Sequence, residues 1–545
     1  VIPSRRIPDL RILPLGAEAE ALAAAEGIGR IASALWLSRK SSLGPIDRIL
    51  APDLAREIRS LDLGPDAAAA GDLVRKLGPG SRVLVYGDYD VDGIASTTLM
   101  LELLLLRGAS VRWYIPHRFR EGYGFHAAAA RGILRRKFDL VAVVDCGTRD
   151  REAVELLRSA GTRVGVWDHH LPEGECACCD ALINPQVAGN EAARGLSACG
   201  VVFAWALQQE LADEKWLRLR ADLAALSTVA DCVPLNSPVN RAIVREGLAV
   251  LRDVPRPGLS LLMERLSVDA DFLDEEALAM RLIPCLNAAG RLDIADRGVR
   301  VLLSDPSSRD EVEPLLDLNR RRKDYSDRIL SDLGEESFRH VRSGQNWPVG
   351  VLSSVASRVC SNSGRPVALA APAGEVMRGT LRMPEGGDAV SVLRELDPLL
   401  RSWGGHRLAA GFSVPRERWC ELEDRMERLL SSVRIEHRRE EVLPLEPGEL
   451  TPGEWRQVCR LGPFGVGNPS PLFLSPSGSW SARPLGRDGR HARLDVGGIP
   501  FVAWGGAELC SPLSSDVRGW IWRARLERFR GERSLQRFVE RVVVE

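Results

Sequence analysis

Between residues 83 and 167 short apolar runs alternate with segments of helical period. Residues 83–86, 111–115, 140–144 and 163–167 read as strands, and 95–106, 127–136 and 151–160 as helices. Short, near-continuously apolar strands taken in turn with helices predict a parallel sheet covered on both faces. Ahead of it, residues 17–39 are rich in Ala and Leu at helical spacing. Behind it, 196–251 reads as mostly helical, and 305–340 as a long polar helix linking domains. A second, smaller α/β unit starts near Pro348, with V-A-S-R-V at 355–359 and P-V-A-L-A at 366–370, and closes near W-G-G-H-R-L-A-A-G-F at 403–412. Beyond about residue 437, short alternating segments separated by Gly and Pro predict a small β-barrel or sandwich. The expected divisions are a helical N-terminal region (1–65), a parallel α/β domain (66–304), a connecting helix (305–340), a smaller α/β domain (341–436) and a barrel (437–545).

Composition narrows the classes. The 545 residues carry 73 basic and 74 acidic side chains, a net charge of −1. No global field draws such a chain to nucleic acid or an anionic membrane, so local patches must meet any anionic partner. The apolar stretch 99–106 is interrupted by Glu102, and no run approaches the length of a membrane span. The opening V-I-P-S-R-R-I-P-D-L lacks the apolar core of a secretory signal, so the cytoplasm is the expected address. Eleven scattered cysteines fit reduced thiols, and Cys176, Cys178 and Cys179 lack the second paired arm that structural zinc requires.

The chemistry gathers where strands end. Residues 86–93 read Y-G-D-Y-D-V-D-G, three carboxylates whose repulsion is unfavourable unless a cation answers it. The spacing imitates the start of a calcium-binding EF-hand loop. However, the twelfth position is Leu99 rather than Glu, and a strand precedes it rather than a helix. A solvated turn would account for one Asp. It does not account for three, together with Asp145 after V-A-V-V, Asp168-His169-His170 after R-V-G-V-W, and Asp231 in L-S-T-V-A-D-C-V-P-L. In parallel α/β sheets ligands collect at those carboxyl ends. Mixed oxygen and nitrogen donors suit manganese or magnesium, less often zinc or iron. A pair of such ions bridged by a carboxylate would acidify an attacking water and steady in-line attack on phosphorus.

Two stretches mix arginine with aromatics. R-W-Y-I-P-H-R-F-R-E-G-Y (112–123) suits stacked bases and gripped phosphates, or else Trp113 and Ile115 are core and the arginines a solvated rim. In 518–538 alternation sets an apolar face against an arginine face, as in a single-strand-binding OB-fold; the competing possibility is a barrel strand neutralised by Glu527 and Glu532.

G-D-Y-D-V-D-G, V-D-C-G, D-H-H and T-V-A-D-C-V-P-L, in this order, resemble the four motifs of the DHH phosphoesterase superfamily. W-G-G-H-R-L-A-A-G-F resembles the loop of its DHH-associated domain. N-A-A-G-R-L (287–292), R-F-R-E-G-Y-G-F (118–125) and P-F-G-V-G-N-P (463–469) resemble the bacterial branch of single-strand-specific 5′ to 3′ DNA exonucleases. The resemblance implies an α/β fold in which a parallel-sheet DHH domain is joined by a long helix to a smaller α/β DHH-associated domain and followed by an OB-like β-barrel. It implies Asp88, Asp90, Asp92, Asp145, His169 and Asp231 as ligands of two Mn²⁺ or Mg²⁺ ions, with Asp145 as the catalytic bridge. His170 would face the scissile phosphate, and Arg118, Arg291, Thr380, Arg382 and His406 would bind substrate. It further implies single-stranded DNA as substrate, 5′-mononucleotides as products, a role in DNA repair and recombination, a helicase and a single-strand-binding protein as partners, and a monomer. Two alternatives remain open: a phosphodiesterase for short oligonucleotides or cyclic dinucleotides, and a non-catalytic DNA-binding scaffold. The chain departs from the branch at Pro348, Ser353, Cys285 and Met383, which bears on strand and 5′-end binding rather than on hydrolysis.

Overall fold

Strands β1 (Arg82–Tyr86), β2 (Ser110–Tyr114), β3 (Leu140–Val144), β4 (Arg163–Trp167) and β5 (Ala181–Ile183) form one parallel sheet in the order β2-β1-β3-β4-β5. The computed structural model describes all residues except 1–3, 7–8, 173, 335–337, 435–438, 487–488, 512–516, 530 and 545; the expected boundary at 436–437 lies outside the described residues. Central β3 is buried throughout, whereas edge strand β2 alternates exposed and half-buried positions. The chain leaves β1 outward to β2, then returns to the other side of β1 as β3. That reversal opens a crevice at the carboxyl ends of β1 and β3, the usual place for a ligand in such sheets.

Helix α1 (Val91–Leu105) springs from the end of β1. It packs against α2 (Ala198–Gln208) and α3 (Ala221–Ala230) in one continuous core with Val83, Val85 and Val144. Glu102, which interrupts the apolar run, is buried in an ion-pair network: it accepts from Arg256 at 2.8 Å and Arg220 at 3.0 Å, and Arg256 also reaches Asp222 at 2.6 Å. Burial alone would raise its pKa; the two arginines hold it below the ordinary value instead. Helix α4 (Ile283–Leu292) carries N-A-A-G-R-L, and the long polar helix α5 (Val312–Leu333) leads to the second unit. Among the described residues no helix is long and apolar enough to cross a membrane.

The second unit is a sheet of β6 (Val341–Ser343), β7 (Val367–Ala373), β8 (Val376–Arg382), β9 (Ser402–His406) and β10 (Ala409–Pro415), ordered β9-β10-β8-β7-β6. V-A-S-R-V lies inside helix α6 (Val349–Ser363), whose Val351, Leu352, Val355 and Ala356 form the buried face. The glycine-rich W-G-G-H stretch is a hairpin rather than an open loop: β9 and β10 pair from Ser402↔Ser413 to His406↔Ala409. A side chain at Gly405 would lie 2.5 Å from the Ala409 carbonyl oxygen, so the close approach requires glycine.

The third sheet has nine strands and draws two from the N-terminus. Ser4–Arg6 pairs with the last strand, Glu532–Val544, and Leu10–Ile12 pairs with Glu440–Pro444. The N-terminal region, expected to be helical over 1–65, is shared between two cores. Leu13, Ile31, Leu35 and Ile49 are buried with Phe473, Trp520 and Trp522 of the barrel, while Leu54, Ile58, Leu61 and Leu63 join the first α/β core.

P-F-G-V-G-N-P serves as a staple between the barrel and the first unit. Buried Arg241 donates to the Leu461 and Gly462 carbonyls at 2.8 Å each, the Leu235 N–H donates to the Val466 carbonyl at 2.6 Å, and Glu275 accepts from the Phe464 N–H at 2.7 Å. The arginine face of the last hairpin also turns to the first unit, not only to its own Glu527. Arg528 pairs with Asp269 at 2.8 Å and Asp271 at 3.0 Å, and Arg533 pairs with Asp271 at 2.7 Å.

Candidate metal centre

The D-x-D-x-D-G turn is shaped by hydrogen bonds of its own. Asp90 caps α1, its side chain accepting from the N–H groups of Asp92 at 3.0 Å and Gly93 at 3.2 Å. A side chain on Gly93 would lie 2.4 Å from the Asp88 carbonyl oxygen, so the helix can start this close only on glycine. Asp92 points back into the helical layer. Its Oδ2 accepts from the Ala198 N–H at 2.8 Å, and its Oδ1 accepts from the Cys199 N–H at 2.9 Å and the Ser227 hydroxyl at 2.6 Å. This carboxylate sits at the N-terminus of α2, where N–H groups and the helix dipole favour negative charge.

Asp145 follows β3 with φ +61°, a left-handed conformation that non-glycine residues seldom adopt and that costs about 1–3 kcal/mol. Its N–H donates to the Trp167 carbonyl at 2.9 Å, and its own carbonyl accepts from the Tyr123 hydroxyl at 3.1 Å. Asp168, His169 and His170 follow β4, and Asp231 caps the C-terminus of α3.

These segments converge. His169 Nε2 lies 3.5 Å from Asp145 and 3.6 Å from Asp92, and its Nδ1 lies 3.7 Å from Asp231. Three groups each place one donor atom per residue within 4.8 Å of the others: Asp88, Asp90 and Asp145; Asp92, His169 and Asp231; and Asp145, His169 and His170. Asp145 belongs to two of them. All seven residues expected at the centre therefore meet in one place.

The electrostatics are those of a site short of positive charge. Burial, then the neighbouring Asp90, pushes Asp88 well above the carboxylate range. Asp145 rises likewise, from burial and the charges of Asp92, Asp90 and Asp88. Burial takes Asp231 to about 7, against the pull of His169. Asp88 Oδ1 is buried without a hydrogen-bond partner. An orphaned acceptor among crowded carboxylates, beside two imidazoles, fits hard divalent cations, and the donor set of oxygen with one or two nitrogens suits Mn²⁺ or Mg²⁺.

Asp168, the first letter of D-H-H, was not among the expected site residues. Its Oδ1 accepts from His170 Nδ1 at 2.8 Å and its Oδ2 from the Thr148 hydroxyl at 2.6 Å. Although burial lowers the His170 pKa, the hydrogen bond and charge of Asp168 raise it to about 9, so His170 is an imidazolium near neutrality. Tyr123 contacts the same ring nitrogen at 2.9 Å. The signal for both lay in motifs already noted, D-H-H and R-F-R-E-G-Y-G-F, but a hydrogen bond between two such motifs is invisible to spacing.

A basic wall faces the acidic floor across the crevice between the first two units. Arg291 donates to the Ser353 hydroxyl at 2.7 Å, and Arg382 to the Ser357 hydroxyl at 3.0 Å and the Thr380 hydroxyl at 2.7 Å. Arg118 stacks on the Tyr89 ring at 4.7 Å. Burial, then the charges of Arg118, Arg322 and Arg382, lowers Arg291 to about 9, and burial with Arg118 lowers Arg382 to about 10: these are cations in want of anions. A cavity of about 340 Å³ opens beside Arg291, lined by Phe119, Pro348, Gly350 and Arg378. Four of the five expected substrate residues thus share this wall. The fifth, His406, is exposed at the β9–β10 turn, outside the metal-ligand groups. Ser353, noted as a departure, holds Arg291 directly. Cys285 is buried and receives the Asn319 amide at 2.8 Å, while Met383 is buried in the core of the second unit. In the 112–123 stretch Ile115 is buried and Trp113 half-buried, bound to Asp296, so this part is packing rather than a stacking platform.

Comparison with known proteins agrees with this architecture. Family models match in chain order: the DHH family N-terminal domain over residues 82–230, the DHHA1 domain over 336–434, and the RecJ OB domain over 443–541. The chain is 34% identical over 525 residues to the single-stranded-DNA-specific exonuclease RecJ of Thermus thermophilus, an alignment covering 94% of this chain and 75% of that one. It is 31% identical to RecJ of Escherichia coli, over 85% of this chain and 87% of that one. The crystal structure of Thermus thermophilus RecJ in complex with Mn²⁺ superposes with a TM-score of 0.79 at 28% identity, covering 97% of this chain and 78% of that one. With the three domains in order and the acidic centre assembled at the strand ends of the first, the chain belongs to the RecJ family of single-stranded-DNA-specific exonucleases.

Proposed function

We propose that the protein is a metal-dependent exonuclease that hydrolyses single-stranded DNA from its 5′ end and releases 5′-mononucleotides, in DNA repair and recombination. The observation that carries this is the convergence of Asp88, Asp90, Asp145, His169 and Asp231 on one crevice, opposite a wall of under-compensated arginines. Asp88, Asp90, Asp145, His169 and Asp231 would hold two Mn²⁺ or Mg²⁺ ions; Asp92, expected as a further ligand and grouped with His169 and Asp231, also anchors the turn to α2. When bound, such ions supply Lewis acidity toward the phosphate and acidify the attacking water.

The chain's own groups supply the rest. Arg291 and Arg382, pre-set by serine and threonine hydroxyls, hold phosphate oxygens in fixed geometry, so little reorganisation accompanies charge build-up. His170, kept protonated and oriented by Asp168, offers a proton to the leaving oxygen or a hydrogen bond to the phosphate. Tyr123 fixes both the His170 ring and the strained Asp145 backbone. Arg118 extends the wall along the strand. The OB domain would bind the strand beyond the cut. We place the protein in the cytoplasm as a monomer, with a helicase and a single-strand-binding protein as partners, on the family resemblance. The barrel and its staple to the first unit favour long strands over dinucleotides as substrate.

The test uses end-labelled single strands of both polarities with Mn²⁺. Labelled mononucleotide released at once from the 5′ label, and only late from the 3′ label, is expected; the reverse order, or equal cutting of duplex, refutes the proposal. Arg291→Ala is expected to raise KM for strands by about 10- to 100-fold, the scale of one charge-assisted phosphate contact, with a smaller effect on metal binding. A second expectation concerns the ion pairs to the barrel arginines. Replacing Asp269 and Asp271 together by Asn should leave stability within about 1 kcal/mol, because the pairs are solvent-exposed. It should tighten strand binding several-fold at low salt by freeing Arg528 and Arg533, a gain read by fluorescence anisotropy and erased by high salt.

A further inference from the structure

The outer edge of the first sheet carries a groove that the nuclease chemistry does not use. It measures about 540 Å³ and runs along β2, between the helix Ala127–Leu134 on one side and the helix Asp296–Leu302 on the other. Its apolar lining comes from Val111, Trp113, Ile133 and Phe138. Among the described residues strand β2 pairs only with β1. The Ser110 N–H donates to the Ser81 carbonyl and the Tyr114 carbonyl accepts from the Gly87 N–H, so residues 110, 112 and 114 turn their backbone groups to β1. Alternation therefore turns those of Val111 and Trp113 outward. Among the described residues neither makes a backbone hydrogen bond outside the sheet ladder. An edge left open in this way is a template for another strand.

The charges in the groove say what kind of strand. Arg112, Arg136 and Arg300 line it with Glu121 and Asp296. Arg300 pairs with Asp296 at 2.7 Å, and Glu121 accepts from the Tyr114 hydroxyl at 2.6 Å. Arg112 and Arg136 are exposed and have no carboxylate partner among the described residues. Nucleic acid fits less well. The Trp113 indole is bound to Asp296 and the Tyr114 ring is stacked on Tyr86 at 5.6 Å, so neither aromatic is free to stack a base, and two carboxylates would face the phosphates.

We propose that this groove binds an extended, acidic peptide segment of a partner protein, which adds to β2 as a strand, seats an apolar side chain over Phe138 and Ile133, and pairs its carboxylates with Arg112 and Arg136. Backbone pairing would supply affinity and the two arginines the preference for acid.

The probe is a fluorescein-labelled peptide, E-D-V-F-V-D-E, compared with K-R-V-F-V-R-K and with the acidic peptide N-methylated at alternate amides, each titrated into the full-length protein. Saturable binding of the acidic peptide below about 100 μM is expected. A loss of at least tenfold is expected on N-methylation, in the double variant Arg112→Glu with Arg136→Glu, and in Val111→Pro. The last removes one outward N–H at a position where an edge strand tolerates proline. All variants should degrade single strands at the wild-type rate, which shows that they are folded. Equal binding of the basic and acidic peptides, indifference to N-methylation, displacement of the acidic peptide by oligo-dT that survives in Arg291→Ala, or no saturation by about 1 mM would each overturn the proposal.

Discussion

Asp145→Asn abolishes hydrolysis, lowering kcat by about 10,000-fold, the scale seen when a central member of a catalytic unit is removed, while strand binding stays within a few-fold of wild type. The reason is position. Among the described residues Asp145 is the one shared by the Asp88–Asp90 group and the His169–His170 group, while His169 joins the latter to the Asp92–Asp231 group. Arg291 and Arg382 of the facing wall lie on separate elements and keep their hydroxyl partners, Ser353, Ser357 and Thr380, whatever happens at β3. The same substitution should raise the thermal stability of protein kept in EDTA. The Asp145 carboxylate is buried among Asp88, Asp90, Asp92 and Asp168, and its pKa is raised, which means that its charge opposes folding at every pH above the ordinary carboxylate value. Exchanging the charge for an amide removes that opposition. Activity and stability therefore move in opposite directions, as expected where strain is retained for function. A variant that loses both together would mark Asp145 as a structural residue instead. Single-turnover cleavage and a melting curve on the same preparation distinguish the two.

Asp92→Ala has the contrary signature. It removes the acceptor for two buried α2 N–H groups, which are left unpaired, and for the buried Ser227 hydroxyl, which keeps only the Ser197 oxygen at 2.5 Å. The expected cost is roughly 3–5 kcal/mol, a fall in Tm on the order of 10 °C for a domain of this size. Activity falls too, but it falls because the D-x-D turn is no longer tied to α2. Asp92→Asn, which keeps one oxygen acceptor, should recover part of the stability. Because Asp92 also lies 3.6 Å from His169, a role in metal binding predicts a different outcome: Asp92→Ala as stable as wild type in EDTA but with weaker Mn²⁺ affinity. Urea unfolding with and without Mn²⁺ decides between anchor and ligand.

The contrast between these two aspartates marks the limit of what spacing can reveal. Strand ends were legible because β1, β3 and β4 are short apolar runs that stop at charged residues, and the rule that ligands collect at such ends did the rest. That the three carboxylates in D-x-D-x-D-G part company was not legible: Asp88 is an orphaned acceptor, Asp90 a helix cap and Asp92 an anchor for a helix that begins 106 residues later. The N-terminal strands escaped for a related reason. Three residues are too few to show a period, and their partners near 440 and 543 lie at the far end of the chain. Ser353 was flagged only as an unexpected residue, yet its hydroxyl holds Arg291. In 112–123 the mix of arginine and aromatic was real, but burial divides it: Trp113 and Ile115 pack inward, Arg112 lines the edge groove, and Arg118, Phe119 and Tyr123 reach the crevice.

The most direct test of the central claim is electron paramagnetic resonance of the full-length protein titrated with Mn²⁺. Asp145 shared between two ligand groups predicts two ions per chain, close enough to couple, and the disappearance of the coupled signal in Asp145→Asn. Two uncoupled ions, or a coupled pair that persists unchanged without the Asp145 carboxylate, would contradict it.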